Sequence, residues 1–594
     1  LWAFCSYILD DMPYNAQFTP IPTLLPPPKS AQWKDGFLDW NIARFEADSR
    51  GMPAGEHVCS QTDNSIAHDQ GYYLKISEDG ITIKSRTESG ARLAFQTLRQ
   101  IALQSDERGM RMVEISDYPD LEVRGFMLDI SRCKVPTMDE LSRLLDKLAL
   151  FKYNRLELYT EHTYAFSGHE IVWADASPMT KSKYARLQKL CDFAGIELVA
   201  NMNGLGHMER WLRYPQYAHL AESKAPFIDP LGTVRKFPTT LYPDKSALDF
   251  MDGLYAQFFP NFSSDKINIG GDEPWELGMG RSKERCKNEG KYRVYIDHIL
   301  GLRSLCAARG KKEIYFWADV LMQNAEYSKL LPEDMIPVLW GYYLDHPYEE
   351  QCSKMRELGR TFLVAPGTNT WNSFGLRWDC ALGNIKTACD CAKKYGAKGM
   401  ILTQWGDGGN HQPWCAMMPP IALAAAQAWS GDIPEDKVCT ALDKLVFSDS
   451  TGEFSRSLCA LGRVDPVQKL RCFHHKMFFA SGKEAETAAK EYTPAKFDEM
   501  EAALDFAMSL AATSKMRCRD AEICLCEVAL AAEMIKWAIA RARGDFYVST
   551  TQQQVSLKFI VSEFARVWLA RAEFGGLTES LDRIKKISPE IFAV

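Results

Sequence analysis

Lys266-Ile267-Asn268-Ile269-Gly270-Gly271-Asp272-Glu273 reads as a short apolar β run that ends in two glycines and is followed at once by two carboxylates. Glycine permits tight backbone turns and close approach of a ligand. A strand that delivers reactive groups at its C-terminal end is characteristic of folds whose loops crown one face of a parallel sheet. The same kind of run recurs on both sides of it. Working outward, short strands are expected at 126–130, 155–159, 197–200, 266–269, 314–317, 336–340, 361–364 and 399–404, mostly separated by segments with helical apolar spacing. Eight strands alternating with helices is the count of an α/β (β/α)8 TIM-like barrel. A doubly wound open sheet is the alternative, and the eightfold count with polar strand ends favours the barrel.

Upstream of the barrel the pattern is different. After Pro26-Pro27-Pro28 come two alternating strands, 72–76 and 80–84, around the turn Glu78-Asp79-Gly80, and then a helical stretch at 90–98. This reads as a small α+β domain ending near Tyr118-Pro119. Downstream of Gly431 the strand signal stops, and Ala, Leu, Met and Trp recur at helical spacing through 521–542 and 555–572. The expected division is 1–119 as an accessory α+β domain, 120–430 as the barrel and 431–594 as a helical C-terminal region. That last region is expected to cap the barrel or to make a homodimer contact. With 594 residues, roughly two to four domains are expected.

The composition, 46% hydrophobic and 25% charged, is that of a globular protein. A net charge of -7 argues against a nucleic-acid partner, which favours a basic surface. No apolar stretch is long enough to span a bilayer; the nearest, 421–429, follows Pro419-Pro420 and reads as a buried helix. The 17 cysteines are odd in number and scattered, so free thiols are expected rather than a disulfide framework. Cytoplasmic location is therefore expected over secretion, with no signal peptide visible. The chain opens on Leu1 rather than Met, which leaves a missing natural start and a removed targeting peptide open. No zinc site is expected, because no second Cys or His pair stands at ligand spacing.

The polar residues at the strand ends are alike in kind. Asp129 and Arg132 follow the first strand, Glu161 and His162 the second, and Asn203 and His207 the third. Asp272 and Glu273 come next, then Trp317 and Asp319, with Trp340, Trp371, Asn372, Trp405 and Asp407 completing the ring. Carboxylates hold hydroxyls and indoles pack on the apolar faces of pyranose rings, so this mouth suits a carbohydrate. Adjacent like charges should raise the pKa of one of the Asp272-Glu273 pair, giving an acid for a leaving oxygen. Most glycosidases set two carboxyls on opposite faces of the scissile bond, which neighbours on one strand end do awkwardly. A 2-acetamido group on the substrate removes the difficulty by attacking C1 itself, leaving one carboxylate to orient it and the other as acid and base.

At this point the chain resembles glycoside hydrolase family 20, the β-N-acetylhexosaminidases. Asn268-Ile269-Gly270-Gly271-Asp272-Glu273 is similar to the family's His-x-Gly-Gly-Asp-Glu, with Asn268 in place of the His. Tyr118-Pro119 and the run from Arg124 to Arg132 resemble the opening strand, and Leu158-Tyr159-Thr160-Glu161 the second, where the family more often has Asp. Gly204-Leu205-Gly206-His207 resembles the third-strand His motif. The resemblance, covering 71–429, implies Asp272 as the group that orients the acetamide and Glu273 as general acid/base. It implies Arg124 as a grip on sugar hydroxyls, His207 as support for the acid, and Trp317, Trp340 and Trp405 as walls around the acetamide and ring. Asp407 would bind outer hydroxyls. Its implied reaction is retaining removal of terminal β-linked GlcNAc or GalNAc through an oxazolinium intermediate, with no cofactor and no metal. The family's Tyr and Asp after the seventh strand are missing from Ala365-Pro366-Gly367-Thr368-Asn369-Thr370-Trp371-Asn372. Trp371, Asn372 or Tyr342 is left to complete the acetamide clamp.

Plainer roles stand beside these. Arg124 could be a buried ion-pair partner of Asp129, His207 a core histidine, and Trp317 and Trp340 barrel filling. His474-His475 with Phe473, Phe478 and Phe479 read as helix packing, and Trp537 and Trp568 as core. Two other functions fit parts of the pattern. One is a metal-dependent isomerase or lyase using Asp129, Glu161, His207, Asp272 and Glu273 as ligands; the other is a sugar-binding homologue without catalysis.

Overall fold

The computed structural model describes residues 21–41, 44–230, 232–480, 482–544 and 550–592; the reading of the chain's start at Leu1 lies outside them. In the N-terminal part, β1 (Ser30–Leu38), β4 (Val58–Thr62), β5 (Tyr72–Ser77), β6 (Gly80–Ser85) and β7 (Met110–Asp117) form one sheet in the order β1-β7-β5-β6-β4. β2 (Glu46–Ala47) and β3 (Pro53–Ala54) make a small antiparallel pair beside it. Alternation along β5 buries Tyr72, Leu74 and Ile76 on one face. The helix Glu88–Ala102 covers that face with Leu98 and Ile101. Thr87 caps this helix by accepting from the Gly90 N–H, and Glu88 stands in its first turn.

The barrel follows. β8 (Val123–Asp129), β9 (Arg155–Tyr159), β10 (Glu197–Asn201), β13 (Lys266–Asn268), β14 (Glu313–Trp317), β15 (Met335–Trp340), β16 (Leu363–Ala365) and β17 (Gly399–Gln404) close into a parallel ring, β17 pairing with β8 from Gly399–Val123 to Gln404–Leu128. β11 (Phe227–Ile228) and β12 (Val234–Arg235) form a hairpin in the loop after β10. Each of the eight expected strands is present. Their residues are buried on both faces, which produces near-continuous apolar runs such as those of β14 and β15, while β9 buries Arg155 and Glu157 as an ion pair at 2.8 Å. The inside of the ring is filled by Met127, Tyr159, Tyr315, Trp317, Val338 and Ile401 among others, so it is a packed core with a site only at its mouth.

The last barrel helix, Met418–Trp429, is buried along its whole length and ties the barrel to the N-terminal domain. Trp429 joins that domain's core and donates Nε1–H to Asp117 at 2.8 Å. Arg124 lies here as well. Its guanidinium donates to the carbonyls of Leu121 and Lys152 at 2.9 Å and stacks over Trp429 at 4.9 Å. Arg124 is the second residue of β8, at the end of the barrel opposite the carboxyl ends of the strands, and it is 1% exposed. The expectation that it grips the substrate is corrected by this position. It pairs with backbone carbonyls, and Asp129 has Arg132 as its ion partner instead.

The C-terminal region is helical as expected and packs onto the barrel. Arg571, ending the helix Thr550–Arg571, is 2% exposed and meets Glu527 at 2.9 Å, Glu140 of the barrel helix Met138–Leu150 at 3.3 Å, and Asp520. Removing one cation from a buried carboxylate cluster leaves uncompensated charge, at a cost of about 3–5 kcal/mol. Arg571→Met is therefore expected to lower the melting temperature clearly; an unchanged melting curve would mean the cluster holds nothing together. Among the described residues Cys415, Cys524 and Glu527 also come within metal-ligand distance of one another. Two of the three already serve Arg571, which donates to Glu527 Oε1 at 2.9 Å and to Cys524 Sγ at 3.3 Å.

Candidate active site

The turn after β13 is built by glycine. Gly270 and Gly271 have φ of +71° and +89°, and a Cβ on Gly270 would collide with Asn203 Oδ1. Gly206, in the loop after β10, packs against the Asp272 carbonyl, where a Cβ would stand 2.2 Å from the oxygen. These two close approaches bring His207 beside the acids. Glu273 itself has φ of +44°, a left-handed conformation that a non-glycine residue adopts at some cost. Its N–H donates to Asp319 Oδ2 at 3.1 Å, and Trp340 Nε1–H donates to Asp319 Oδ1 at 3.4 Å. Asp319 thus holds the strained acid in place, a role that its sequence position alone did not single out.

Beside this turn is a cavity of about 810 Å³ at the carboxyl ends of the strands. Glu161, His207, Asp272, Glu273, Trp317, Trp340, Tyr342, Trp371, Asn372, Trp405 and Asp407 all line it. Of the residues singled out for substrate contact, only Arg124 is elsewhere. Arg132 stands in the cavity instead. Its guanidinium lies over Tyr159 at 4.7 Å and Trp405 at 5.0 Å, and within 3.4–3.7 Å of Asp129, Glu161 and Asp407.

The aromatic wall is continuous. Trp317 and Trp405 have centroids 6.2 Å apart; Tyr342 stacks on Trp340 at 5.3 Å and meets Trp371 edge-on at 5.0 Å. Trp405 Nε1–H donates to the Tyr342 hydroxyl at 2.8 Å, which leaves that hydroxyl its own proton to give. In the loop after β16, Thr368 and Thr370 are bound to Gln404. That loop presents Trp371, while Tyr342, from the loop after β15, supplies the hydroxyl.

Electrostatics separate the two acids. Asp272 Oδ2 lies 3.0 Å from His207 Nε2, while its Oδ1 is buried without a hydrogen-bond partner. Burial alone would lower the His207 pKa, but the Asp272 charge and hydrogen bond outweigh it and push it up to about 9. His207 is therefore an imidazolium at neutral pH. Burial raises the Glu273 carboxyl above its ordinary range; the His207 charge opposes this, and Asp272 and Asp407 add to it. Burial and the Asp272 charge also raise Asp319. Asp129 is lifted to about 6 by burial, with Arg132 pulling it back. One carboxylate, Asp272, is thus paired with a cation and keeps a free oxygen, while its neighbour retains its proton to higher pH.

Several lining residues gave no usable local signal. Arg210, Arg213, Trp275 and Arg235 come from the loops after β10 and β13, and Glu579 and Arg583 from the C-terminal helix Leu577–Lys585. His474 and His475 are buried near Phe374, as helix packing requires.

Comparison with known proteins matches the sequence to one family. The model described as glycosyl hydrolase family 20, catalytic domain, matches residues 121–375, and that for domain 2 of the same family matches 25–118. Beta-hexosaminidase 1 of Coccidioides posadasii is 24% identical over 360 residues, 54% of this chain and 56% of the relative. The chain spans about half the length of the curated relatives it matches. A beta-N-acetylhexosaminidase from Bacteroides fragilis superposes with a TM-score of 0.57 at 18% identity, covering 69% of this chain and 92% of that one. A Flavobacterium johnsoniae chitobiase gives 0.60 at 16% identity, covering 95% and 99%. At these identities the structures bear on the fold alone.

Proposed function

The chain belongs to glycosyl hydrolase family 20, and on that premise we propose that it is an exo-acting, retaining β-N-acetylhexosaminidase, removing terminal β-linked GlcNAc or GalNAc from glycans or glycoconjugates. The observation that carries the reading is the divided pair: Asp272 held by protonated His207 with one buried oxygen free, beside Glu273 with its raised pKa. Glu273 gives its proton to the glycosidic oxygen as the C1–O bond breaks. The acetamide oxygen closes on C1 from the opposite face, forming an oxazolinium ring, while Asp272 Oδ1 accepts the amide N–H and offsets the developing charge. Water then attacks C1, Glu273 takes its proton, the ring opens, and two inversions leave the β-configuration.

Tyr342 fills the place left by the departed seventh-strand residues, donating its hydroxyl proton to the acetamide oxygen. Tyr342→Phe is expected to lower kcat about ten- to a hundredfold, the worth of one hydrogen bond to developing charge; an unaltered kcat would give the clamp to Trp371 or Asn372. Arg132 and Asp407 hold the outer hydroxyls. The acids at the mouth are engaged with Arg132 and His207, which disfavours their use as ligands of a divalent cation. The test is release of p-nitrophenol from the β-N-acetylglucosaminide and β-N-acetylgalactosaminide in the presence of a chelator. Turnover is expected; none from either substrate would refute the proposal, and turnover only without chelator would favour the metal reading. A reducing compartment belongs to the same proposal, supported by the free cysteines of the described residues, Cys439 and Cys459 included, whose Sγ atoms lie 3.7 Å apart.

A further inference from the structure

Residues 462–472 join the helices Phe454–Leu461 and Phe473–Phe479 of the C-terminal region and run back to the barrel mouth as a strap. Asp465 fixes its bend, accepting from the Val467 N–H at 3.1 Å and from the Phe473 N–H. Leu470, near its far end, lines the cavity and packs, partly buried, on the cluster that contains Tyr342, Trp371 and Trp405. The match to the family's catalytic-domain model stops at residue 375, so this wall comes from outside the matched part of the chain.

The strap is tied to both sides of the acetamide clamp. On one side the Cys472 N–H donates to the Asn372 carbonyl at 3.0 Å. On the other, Gln468 Oε1 accepts the Cys380 N–H at 2.9 Å, and the Cys380 thiol donates to the Tyr342 carbonyl at 3.2 Å. Between them stands Arg377, fully buried. Its Nη1 donates to the carbonyl of Lys469 at 3.2 Å and to that of Leu470, and its Nε to the Asn369 carbonyl at 3.4 Å. The guanidinium also lies over the Trp371 ring at 5.0 Å. No carboxylate lies within ion-pair distance of it among the described residues, and burial lowers its pKa. A buried cation without a counter-charge is a costly way to fill space. What it supplies is a rigid fork of donors, which locks the strap, the loop after β16 and the Trp371 indole together.

We infer that Leu470 is a specificity-determining residue: it closes the acetamide pocket from the C-terminal region and limits the N-acyl group to acetyl. Arg377 is the positioning residue that holds it there; both roles rest on the hydrolase reading above. Attack of the acyl oxygen on C1 requires the group to be held close and in line. A side chain bearing on the Tyr342–Trp371 pair restricts where the acyl methyl can lie, which holds the oxygen forward. The strap thereby makes good the seventh-strand residues that this chain lacks.

The experiment compares kcat/KM for p-nitrophenyl β-glucosaminides carrying N-acetyl, N-propanoyl or N-butanoyl groups within each protein, so that partial misfolding cancels. The three acyl oxygens are similar nucleophiles, so the series reads the room available. Wild type should lose about tenfold or more per added methylene. Leu470→Ala should return most of that loss, and Leu470→Phe should deepen it. Arg377→Lys keeps the charge but not the fork, and should relax the series in the direction of Leu470→Ala. A merely structural role would lower all three substrates alike and leave the ratios at their wild-type values. If Leu470→Ala has no activity, the other two variants decide. A wild type that takes N-butanoyl as readily as N-acetyl, or ratios that neither Leu470 variant moves, overturns the inference; ratios moved by Leu470 alone strike Arg377 from it. Failure of wild type to cleave even the N-acetyl substrate would instead strike at the hydrolase reading.

Discussion

Replacing Glu273 by Gln is expected to lower kcat on a poor leaving group, such as a second sugar, by about a hundred- to ten-thousandfold, the range of a lost general acid. The amide keeps the size of the side chain and its backbone bond to Asp319, so binding should change little. With p-nitrophenol as leaving group the loss should be smaller, since that group needs little protonation. Equal losses on both substrates would mean that Glu273 is not the acid. The pH profile offers an independent reading of the same residue. The acid works protonated, so kcat/KM should fall as pH rises through a value above the ordinary glutamate range, in line with the direction set by burial. That alkaline limb should be absent in Glu273→Gln.

Asp272→Asn is expected to cost about a hundred- to a thousandfold in kcat, as loss of a preorganised charge next to a developing cation should. It should also change His207. Without the Asp272 charge, burial and Arg132 dominate, and the His207 pKa should fall well below about 9. Selective histidine labelling and NMR titration would show this; a His207 that still titrates near 9 would mean another group carries its charge. The linkage has a definite sign. The folded-state pKa of His207 lies above its ordinary value of 6.5, so the pair's contribution to stability is complete below pH 6.5 and is lost as pH rises through about 9. In Asp272→Asn this alkaline loss should disappear.

The barrel was legible because its strands are buried on both faces, so that β15 stands out as an uninterrupted apolar run and β17 begins as one. The N-terminal sheet was only half legible. β5 and β6 alternate clearly, but β1 and β4 are mostly exposed and carry no such pattern. At the site, the two glycines, two acids and tryptophans could be read because each lies at a strand's end, where the fold fixes its direction. Arg124 misled because a strand has two ends, and the second residue of β8 belongs to the wrong one. Arg132, three residues past the end of the same strand, was visible in the pattern without an assigned role. Glu579 and Arg583 were not legible at all: only the packing of the C-terminal helices, anchored at Arg571, brings them to the cavity.

The central claim is that the substrate's own acetamide is the nucleophile, directed by Asp272 and answered by Glu273. The most direct measurement is the hydrolysis rate of aryl β-N-acylglucosaminides in which the acetamide is replaced by mono-, di- and trifluoroacetamide. Each fluorine weakens the carbonyl oxygen as a nucleophile while altering its size little. The account predicts kcat/KM falling steeply along the series; a flat series would contradict it and require a nucleophile from the protein.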